Sequence, residues 1–510
     1  MKRIISALLS IVLAAGLFCS CTSEDPGPYI PTGDGLSDVT VSTQPTLPPE
    51  QSLTLTYYPQ RALNPYTATD YTNRVLFSLL YQSLFFVDGD YHATPILCQT
   101  YSISDDMKTY TFQIAPALFS DGTSLTAADV VASLNAAKAG AYYSGRFQHI
   151  LSIYEDNGSV VIQLDTPFEN LPLLLDIPIV KASQVDAAEP LGTGPYVMDN
   201  SLSGRRLRRQ AGWWCSSSAS MVVTAAYIPL TEAQSPSQIR DQFEFEDLGL
   251  VCADPGSDTY ADYRCDFEIW NSETGLFLYL GCNAASPIFS NDTVRAALTH
   301  AINRDYLVES FYRDFAHSAC LPASPLSPYY DAALASRYGY DSEKFVGALT
   351  EANLQGAAVT LLLNSDDSLR VRVGRAIGKM LTACGLEVTI LEKESADFIE
   401  HLRWGEYDLY LAQTKLSPNM DLSAFFQKNG SLNYGGLSDA AIYAISLEAL
   451  ANSGNYYNLH EMVMEDAQIC PILFRSYAIY ATRGLVTELT PARDNVFYYT
   501  LGTTQADALN

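Results

Sequence analysis

The chain has 510 residues, with 57 acidic against 30 basic side chains and a formal charge of −27, so the phosphate backbone of a nucleic acid would be repelled rather than held. A single hydrophobic core stops growing at roughly 250 to 300 residues, and a chain of this length divides into about three folded units. Hydrophobic residues at 48% and aromatic ones at 11% supply a large core and exclude disorder throughout.

The N-terminus reads Lys2-Arg3, an apolar run over residues 4–18, then Cys19-Ser20-Cys21. A charged start followed by a short apolar stretch is shaped for export and is too brief to span a bilayer permanently. Small Ser20 directly before Cys21 resembles the cleavage box of bacterial lipoproteins, whose cysteine takes a diacylglycerol. Phe18 replaces the usual leucine of that box, and the alternative is a plain secretory signal. The expectation is a signal peptide over 1–20 with lipidation at Cys21, which puts the protein on the extracytoplasmic face of the cell membrane, in the periplasm or at the cell surface. Residues 21–52, rich in Pro, Gly, Ser and Thr, are expected to be a disordered tether.

Residues 53–57 alternate as a strand. Val75, Leu76, Leu79, Leu80 and Leu84 repeat at helical spacing and predict one helix over 69–86. Residues 110–114 form a strand, and after the turn signal Phe119-Ser120-Asp121-Gly122 the pair Thr126 and Asp129 caps a helix over 127–138. Further strands are expected over 159–164, 221–228 and 276–282. From residue 358 the order is strand 358–363, helix 369–384, strand 386–391, helix 396–404 and strand 407–412. Such alternation means an α/β fold with parallel strands and right-handed crossovers. Ligands then bind beyond the carboxyl ends of the strands, at 364–367, 392–393 and 413–418.

Eight cysteines follow the N-terminal pair, none in a C-x-x-C motif, so neither a zinc knuckle nor a dense disulfide framework is encoded. Cys252 and Cys265 are the nearest in sequence. The six histidines contain no i, i+4 pair, and no metal site or cofactor is expected. There is no phosphate loop and no nucleophile elbow, and Gly192-Thr193-Gly194-Pro195 lacks the third glycine of a dinucleotide turn. A hydrolase whose residues meet only in space leaves no such trace and stays as an alternative.

Several ordered segments resemble the family 5 solute-binding proteins of ABC importers, the oligopeptide- and dipeptide-binding lipoproteins. They are Tyr110-Thr111-Phe112 with Phe119-Ser120-Asp121-Gly122 and Thr126-Ala127-Ala128-Asp129-Val130-Val131; Gly192-Thr193-Gly194-Pro195-Tyr196; Asn283, Pro287, Val294-Arg295 and Ala301-Ile302-Asn303-Arg304; Gly405-Glu406-Tyr407-Asp408; and Cys470-Pro471-Ile472. The resemblance implies a two-lobed periplasmic-binding-protein-like fold of type II, hinged around a central cleft. Lobe I would comprise 53–279 plus 478–510, with an extra subdomain at about 80–180, and lobe II 280–477. Hinge crossings would lie near Leu280 and Tyr477.

The same resemblance implies a monomeric, non-catalytic receptor that captures an oligopeptide by lobe closure and delivers it to a membrane permease driven by an ATPase. A metal chelate or a sugar is the alternative ligand on this scaffold. Peptide would pair with strand edges at Tyr58, Pro59 and Gln60 and at Gln413, Thr414, Lys415 and Ser417. Peptide binders of the family place a Trp and an amine-binding Asp just after this strand. Here neither is present at that place, which leaves Asn419 and Asp421 nearby, with Asp421 a substitute anchor or Lys415 a preference for an anionic group. Trp404, Phe425 and Phe426 are either stacking or core aromatics. Trp213 and Trp214 are expected inside, Arg205, Arg206, Arg208 and Arg209 on an acid-paired strand face, and Arg295 and Arg304 in ion pairs.

Overall fold

The computed structural model describes residues 53–201, 204–215, 225–256, 263–436, 439–493 and 502–503. The expected signal peptide, Cys21 and the tether lie outside the described residues, as do most of 494–510 and the start of the strand expected at 221–228, of which Tyr227–Glu232 is seen.

Two antiparallel strands, Phe267–Cys282 and Ile469–Thr482, form the spine. They pair from Phe267 opposite Thr482 to Gly281 opposite Ile469, and the register shifts twice, between Glu273 and Leu276 and between Leu278 and Tyr279. Around them a seven-stranded sheet runs in the order Leu250–Ala253, Ile469–Thr482, Phe267–Cys282, Leu409–Lys415, Ala358–Asn364, Glu387–Lys393, with Ala316–Ser318 on the edge of Ile469–Thr482. Ala358–Asn364 pairs in parallel with both neighbours, as the strand-helix alternation predicts. Its Val359, Leu361, Leu362 and Leu363 are all buried, because layers cover both faces of the sheet. Asp367 caps the crossover helix Ser368–Ala383 by accepting from the Arg370 N–H at 2.8 Å, and Gly405 at φ +68° ends the helix Ser395–Trp404 in the left-handed conformation that favours glycine.

The other lobe holds two four-stranded sheets. In one, Leu55–Tyr57 is parallel to Tyr227–Glu232, which continues antiparallel through Gly204–Arg209 to Tyr196–Ser201. In the other, Cys98–Ile103, Thr109–Ile114, Ser159–Leu164 and Ile150–Asp156 are antiparallel neighbours. One apolar core joins both sheets to the helix Ala127–Ala139, through Leu55, Phe77, Phe112, Leu134 and Ile162. That helix starts with a complete capping box, in which Asp129 reaches back to the Thr126 N–H at 2.9 Å.

Two expectations are corrected. The helix over 69–86 is two short pieces, Tyr71–Arg74 and Phe77–Leu80, followed by the strand Phe85–Val87. The Leu80 carbonyl accepts from the Gly194 N–H at 3.1 Å instead of from its own helix, and the chain leaves extended to pair with 93–95. Arg304 forms no ion pair among the described residues: it is buried and donates to the carbonyls of Pro471 and Thr299 and to Thr299 Oγ1. Arg295 does pair, with Asp292 at 2.8 Å and Asp466 at 3.2 Å. Cys252 and Cys265 are both free thiols.

The Gly192–Tyr196 turn holds the lobe together by close approach. A Cβ on Gly194 would lie 2.4 Å from the Leu80 carbonyl carbon and 2.5 Å from the Leu79 oxygen, with backbone on both sides and nothing that can yield. Trp213 Nε1 donates to the Thr193 carbonyl at 2.8 Å from above. Gly194→Ala is therefore expected to destabilise the protein by about 1–3 kcal/mol, as an overpacked core does. A urea midpoint equal to that of the wild type would show that the turn relaxes without cost.

Candidate functional site

The helix Ala127–Ala139 stops at Gly140, and the chain turns through Tyr142 and Tyr143 into the single turn Ser144–Phe147. This places Tyr142, Gly145, Arg146 and Gln148 opposite the end of Leu409–Lys415 and the loop that follows it. Between them lies a cavity of about 260 Å³, lined from the other side by Thr414, Lys415, Leu416, Ser417, Asp421 and Ala424, and by Arg493. Larger hollows exist. One of about 750 Å³ along Asp292, His300 and Glu351 is lined by residues 292–351 and 464–465 of the seven-stranded lobe. Another of about 470 Å³ lies beside Tyr91, Tyr101 and Tyr329. The smaller cavity is the one with strand ends on one wall and cations on both.

Cations dominate its lining: Arg146, Lys415 and Arg493 against the single acid Asp421. Arg146 is buried and ion-paired to Asp176. Lys415 Nζ donates to the Tyr142 hydroxyl at 2.6 Å and lies 3.9 Å from that ring's centre, while Arg74 stacks over the same ring at 3.3 Å. Arg493 donates to the Leu416 carbonyl. The strand itself leaves a docking edge. Leu409–Lys415 pairs with Phe267–Cys282 along its whole length but with Ala358–Asn364 only over Leu409 to Leu411. Among the described strands, residues 412–415 thus have a neighbour on one side only.

Of the residues singled out in sequence, Thr414, Lys415, Ser417 and Asp421 meet at this cavity. Gln413 is turned away and accepts from Arg475 at 3.2 Å, and Arg475 is fixed in turn by Asp254 at 2.5 Å. Asn419 is buried; its side chain accepts from Ser417 Oγ and its carbonyl from the Tyr456 hydroxyl. Tyr58, Pro59 and Gln60 are outside the lining. Tyr58 is buried against Phe243 and Tyr480 and is held through its backbone by Asn73, and Gln60 bonds to Gln234 at the surface. Phe425 and Phe426 are core, Phe425 meeting Tyr279 edge to face, whereas Trp404 is 76% exposed. The arginine strand face is acid-paired at Arg205 with Glu189 and at Arg206 with Asp199.

A second cluster adjoins the cavity and was not marked in the sequence. His149 Nδ1 lies 3.0 Å from Asp165 Oδ1, and its Nε2 lies 3.0 Å from Ser423 Oγ and 3.4 Å from Asp421 Oδ2. Serine, histidine and aspartate in this order imitate a hydrolase triad, but the chemistry differs. Ser423 is fully buried, and its Oγ already accepts from Gln148 Nε2 at 2.8 Å. Burial lowers the His149 pKa, yet the hydrogen bond and charge of Asp421, and then Asp165, outweigh it and move the pKa up. The sequence signal was absent because 149, 165, 421 and 423 are far apart in the chain. Asp88, Asp90 and His92 also gather on an exposed turn, where Asp88 Oδ1 accepts the N–H groups of Asp90 and His92.

The sequence model of the bacterial extracellular solute-binding proteins, family 5, matches residues 92–435. The glutathione-binding protein GsiB of Escherichia coli K12 is 26% identical over 345 residues, which cover 64% of this chain and 66% of that protein, just under two thirds of its length. Among solved structures, HbpA2 from Haemophilus parasuis superposes with a TM-score of 0.75 at 18% identity, covering 89% of this chain and 99% of that one. The periplasmic murein tripeptide binding protein MppA, in its unliganded open form, gives 0.73 at 15% identity, with coverage of 90% and 98%. The likeness to these structures carries the two-lobed fold alone; the family is one of binding proteins rather than enzymes. On the strength of the match over more than half of its length, the chain belongs to the bacterial extracellular solute-binding proteins, family 5.

Proposed function

We propose that this protein is the extracytoplasmic receptor of an ABC importer for short, carboxylate-bearing peptides. It acts as a monomer held to the membrane through a diacylated Cys21, and closes its lobes over the peptide before handing it to a permease powered by an ATPase. The observation that carries the reading is the sign reversal at the cavity. A chain of charge −27 lines its inter-lobe cavity with Lys415 and Arg493 against Asp421, beside an Arg146 already neutralised by Asp176. Charge complementarity of this kind selects an anion and steers it in. The half-paired edge at 412–415 offers main-chain hydrogen bonds to an extended ligand, which is how peptides add to sheets.

Size argues for a short peptide. A cavity of about 260 Å³ is at the lower end for small-molecule sites, and an extended residue spans about 3.3–3.6 Å. Two or three residues fill it. Relatives named for glutathione and for a murein tripeptide fit that length. No described helix is long and apolar enough to cross a membrane.

Native mass spectrometry of the protein without its tether, followed by release and sequencing of whatever is bound, tests the ligand class. Adducts that resolve into acidic di- or tripeptides are expected, while a single metal chelate or sugar would replace the peptide. In calorimetry, Lys415→Ala should weaken a dicarboxylate tripeptide by about 1.5–3 kcal/mol, the range for hydrogen bonds to charged groups, and should leave its amidated analogue nearly unchanged. Equal losses for both would remove the charge-reading role of Lys415. The Cys21→Ala protein should fail to partition with membranes, and acylation that persists in it would overturn the anchor.

A further inference from the structure

Tyr142 is wedged from behind before it meets the other lobe. The helix Ala127–Ala139 ends at Gly140, where a Cβ would lie 2.6 Å from the Tyr66 carbonyl oxygen, so the chain leaves the helix pressed against the segment 64–68. Carbonyls of that segment anchor Arg74. Its Nη1 donates to Pro65 at 3.2 Å and to Ala68 at 3.0 Å, and its Nη2 donates to the Tyr143 hydroxyl at 2.7 Å. Held in this way, the guanidinium lies 3.3 Å from the centre of the Tyr142 ring, and the Tyr143 ring meets that ring edge to face at 4.9 Å. A cation stacked on the ring and an aromatic neighbour beside it restrain its plane.

Across the cleft, Lys415 ends the strand Leu409–Lys415. Its Nζ donates to the Tyr142 oxygen at 2.6 Å and stands 3.9 Å from the ring centre. Two cations therefore share one ring, and they differ in place: Arg74 is buried outside the cavity lining, whereas Lys415 lines the cavity together with Tyr142. An ammonium is a point charge on a flexible four-carbon stem, which by itself does not define where a ligand's carboxylate must lie. An acceptor on a restrained ring does.

This contact is not what joins the facing surfaces. Gln148 Nε2 donates to Ser423 Oγ at 2.8 Å, the Glu169 N–H donates to the Leu450 carbonyl at 2.9 Å, and the Ser453 N–H donates to Glu169 Oε2 at 2.9 Å. These bonds span the same two lobes without a cavity cation, and the Tyr142 oxygen takes part in none of them. Its bond to Lys415 acts on the lysine rather than on the fit of one lobe against the other.

We propose that Tyr142 is the positioning residue for carboxylate recognition: from the first lobe it sets the place of the Lys415 ammonium on the second, so that acidic and amidated peptides are told apart fully only when both lobes surround the ligand. This rests on the reading of the cavity as a site for a ligand carboxylate. Arg74 holds the ring, the ring holds Lys415, and Lys415 meets the anion.

Tyr142→Phe keeps the ring beside Arg74 and Tyr143 and removes only the acceptor. In the ligand-free protein, brief acetylation with acetic anhydride followed by mass spectrometry of digests reads how firmly Lys415 Nζ is held. Its labelling rate should rise in Tyr142→Phe while the other lysines keep theirs. In calorimetry, the dicarboxylate tripeptide should lose about tenfold more affinity than its amidated analogue, and Tyr142→Phe should add no further loss to Lys415→Ala. Lys415 labelled at the wild-type rate overturns the proposal. Equal losses for the two peptides, or losses that add in the double variant, overturn it as well, since they are what a merely structural tyrosine gives. A protein that binds neither peptide sinks the ligand assignment, and the acetylation rates then still decide whether Tyr142 fixes Lys415.

Discussion

The pairing of Phe267–Cys282 with Ile469–Thr482 is the contact on which the rest of the molecule depends. These strands carry the chain between the lobes, and each lobe is organised around its own part of them. Near Cys282 and Ile469 they lie in the sheet of the second lobe, while near Phe267 and Thr482 they are flanked by Leu250–Ala253 and the core around Tyr58 and Phe243. Two long strands hydrogen-bonded to one another are stiff along their length but twist readily where the ladder is interrupted. The interruption at Glu273–Leu276 holds Gly275 at φ +70°, Thr274 Oγ1 on the Arg475 carbonyl at 2.7 Å and the Arg475–Asp254 pair, so that its irregular backbone is satisfied rather than open to water.

Charge is the second organising constraint. In so acidic a chain the buried cations are the rarer species, and they are compensated by carboxylates, carbonyls or aromatic faces. Arg146 takes a carboxylate, Arg304 takes carbonyls, and Arg74 takes the carbonyls of Pro65 and Ala68 and the face of Tyr142. A buried cation without compensation would cost several kcal/mol, so the partners of Arg146 and Arg74 hold the loop 140–149, which carries Arg146, Tyr142 and Tyr143. That loop presents Tyr142, Gln148 and His149 to the other lobe. The inter-lobe cavity is thus a product of how the first lobe neutralises its own arginines.

Much of the scaffold was legible in the chain. The capping pair Thr126 and Asp129 acts locally, over three residues, and local chemistry survives into the fold. The alternation from 358 to 415 was equally readable, because full burial of a central parallel strand forces an unbroken apolar run and its crossovers need helices of fixed length. The segment 69–86 was misread for the complementary reason. Its apolar spacing fits a helix, but the Leu80 carbonyl is claimed by Gly194, more than a hundred residues away, and no local pattern encodes that competition. Arg304 likewise has carbonyl partners from Thr299 and Pro471 that only packing brings together.

The strand-helix alternation and the motif series by themselves marked an α/β scaffold resembling the family 5 solute-binding proteins, since both rest on residue type and short spacing. They also marked the strand end at Thr414, Lys415 and Ser417, because ligand sites follow the carboxyl ends of parallel strands. Which side chains face those residues was decided by the tertiary structure alone. Tyr142, Arg146, Gln148 and Arg493 meet the strand end only after two lobes, separated by hundreds of residues of chain, fold around the shared spine. His149 acquires its surroundings the same way. A histidine's protonation is set by what lies within a few ångströms of its ring, and here that is Asp165 from one lobe and Asp421 from the other.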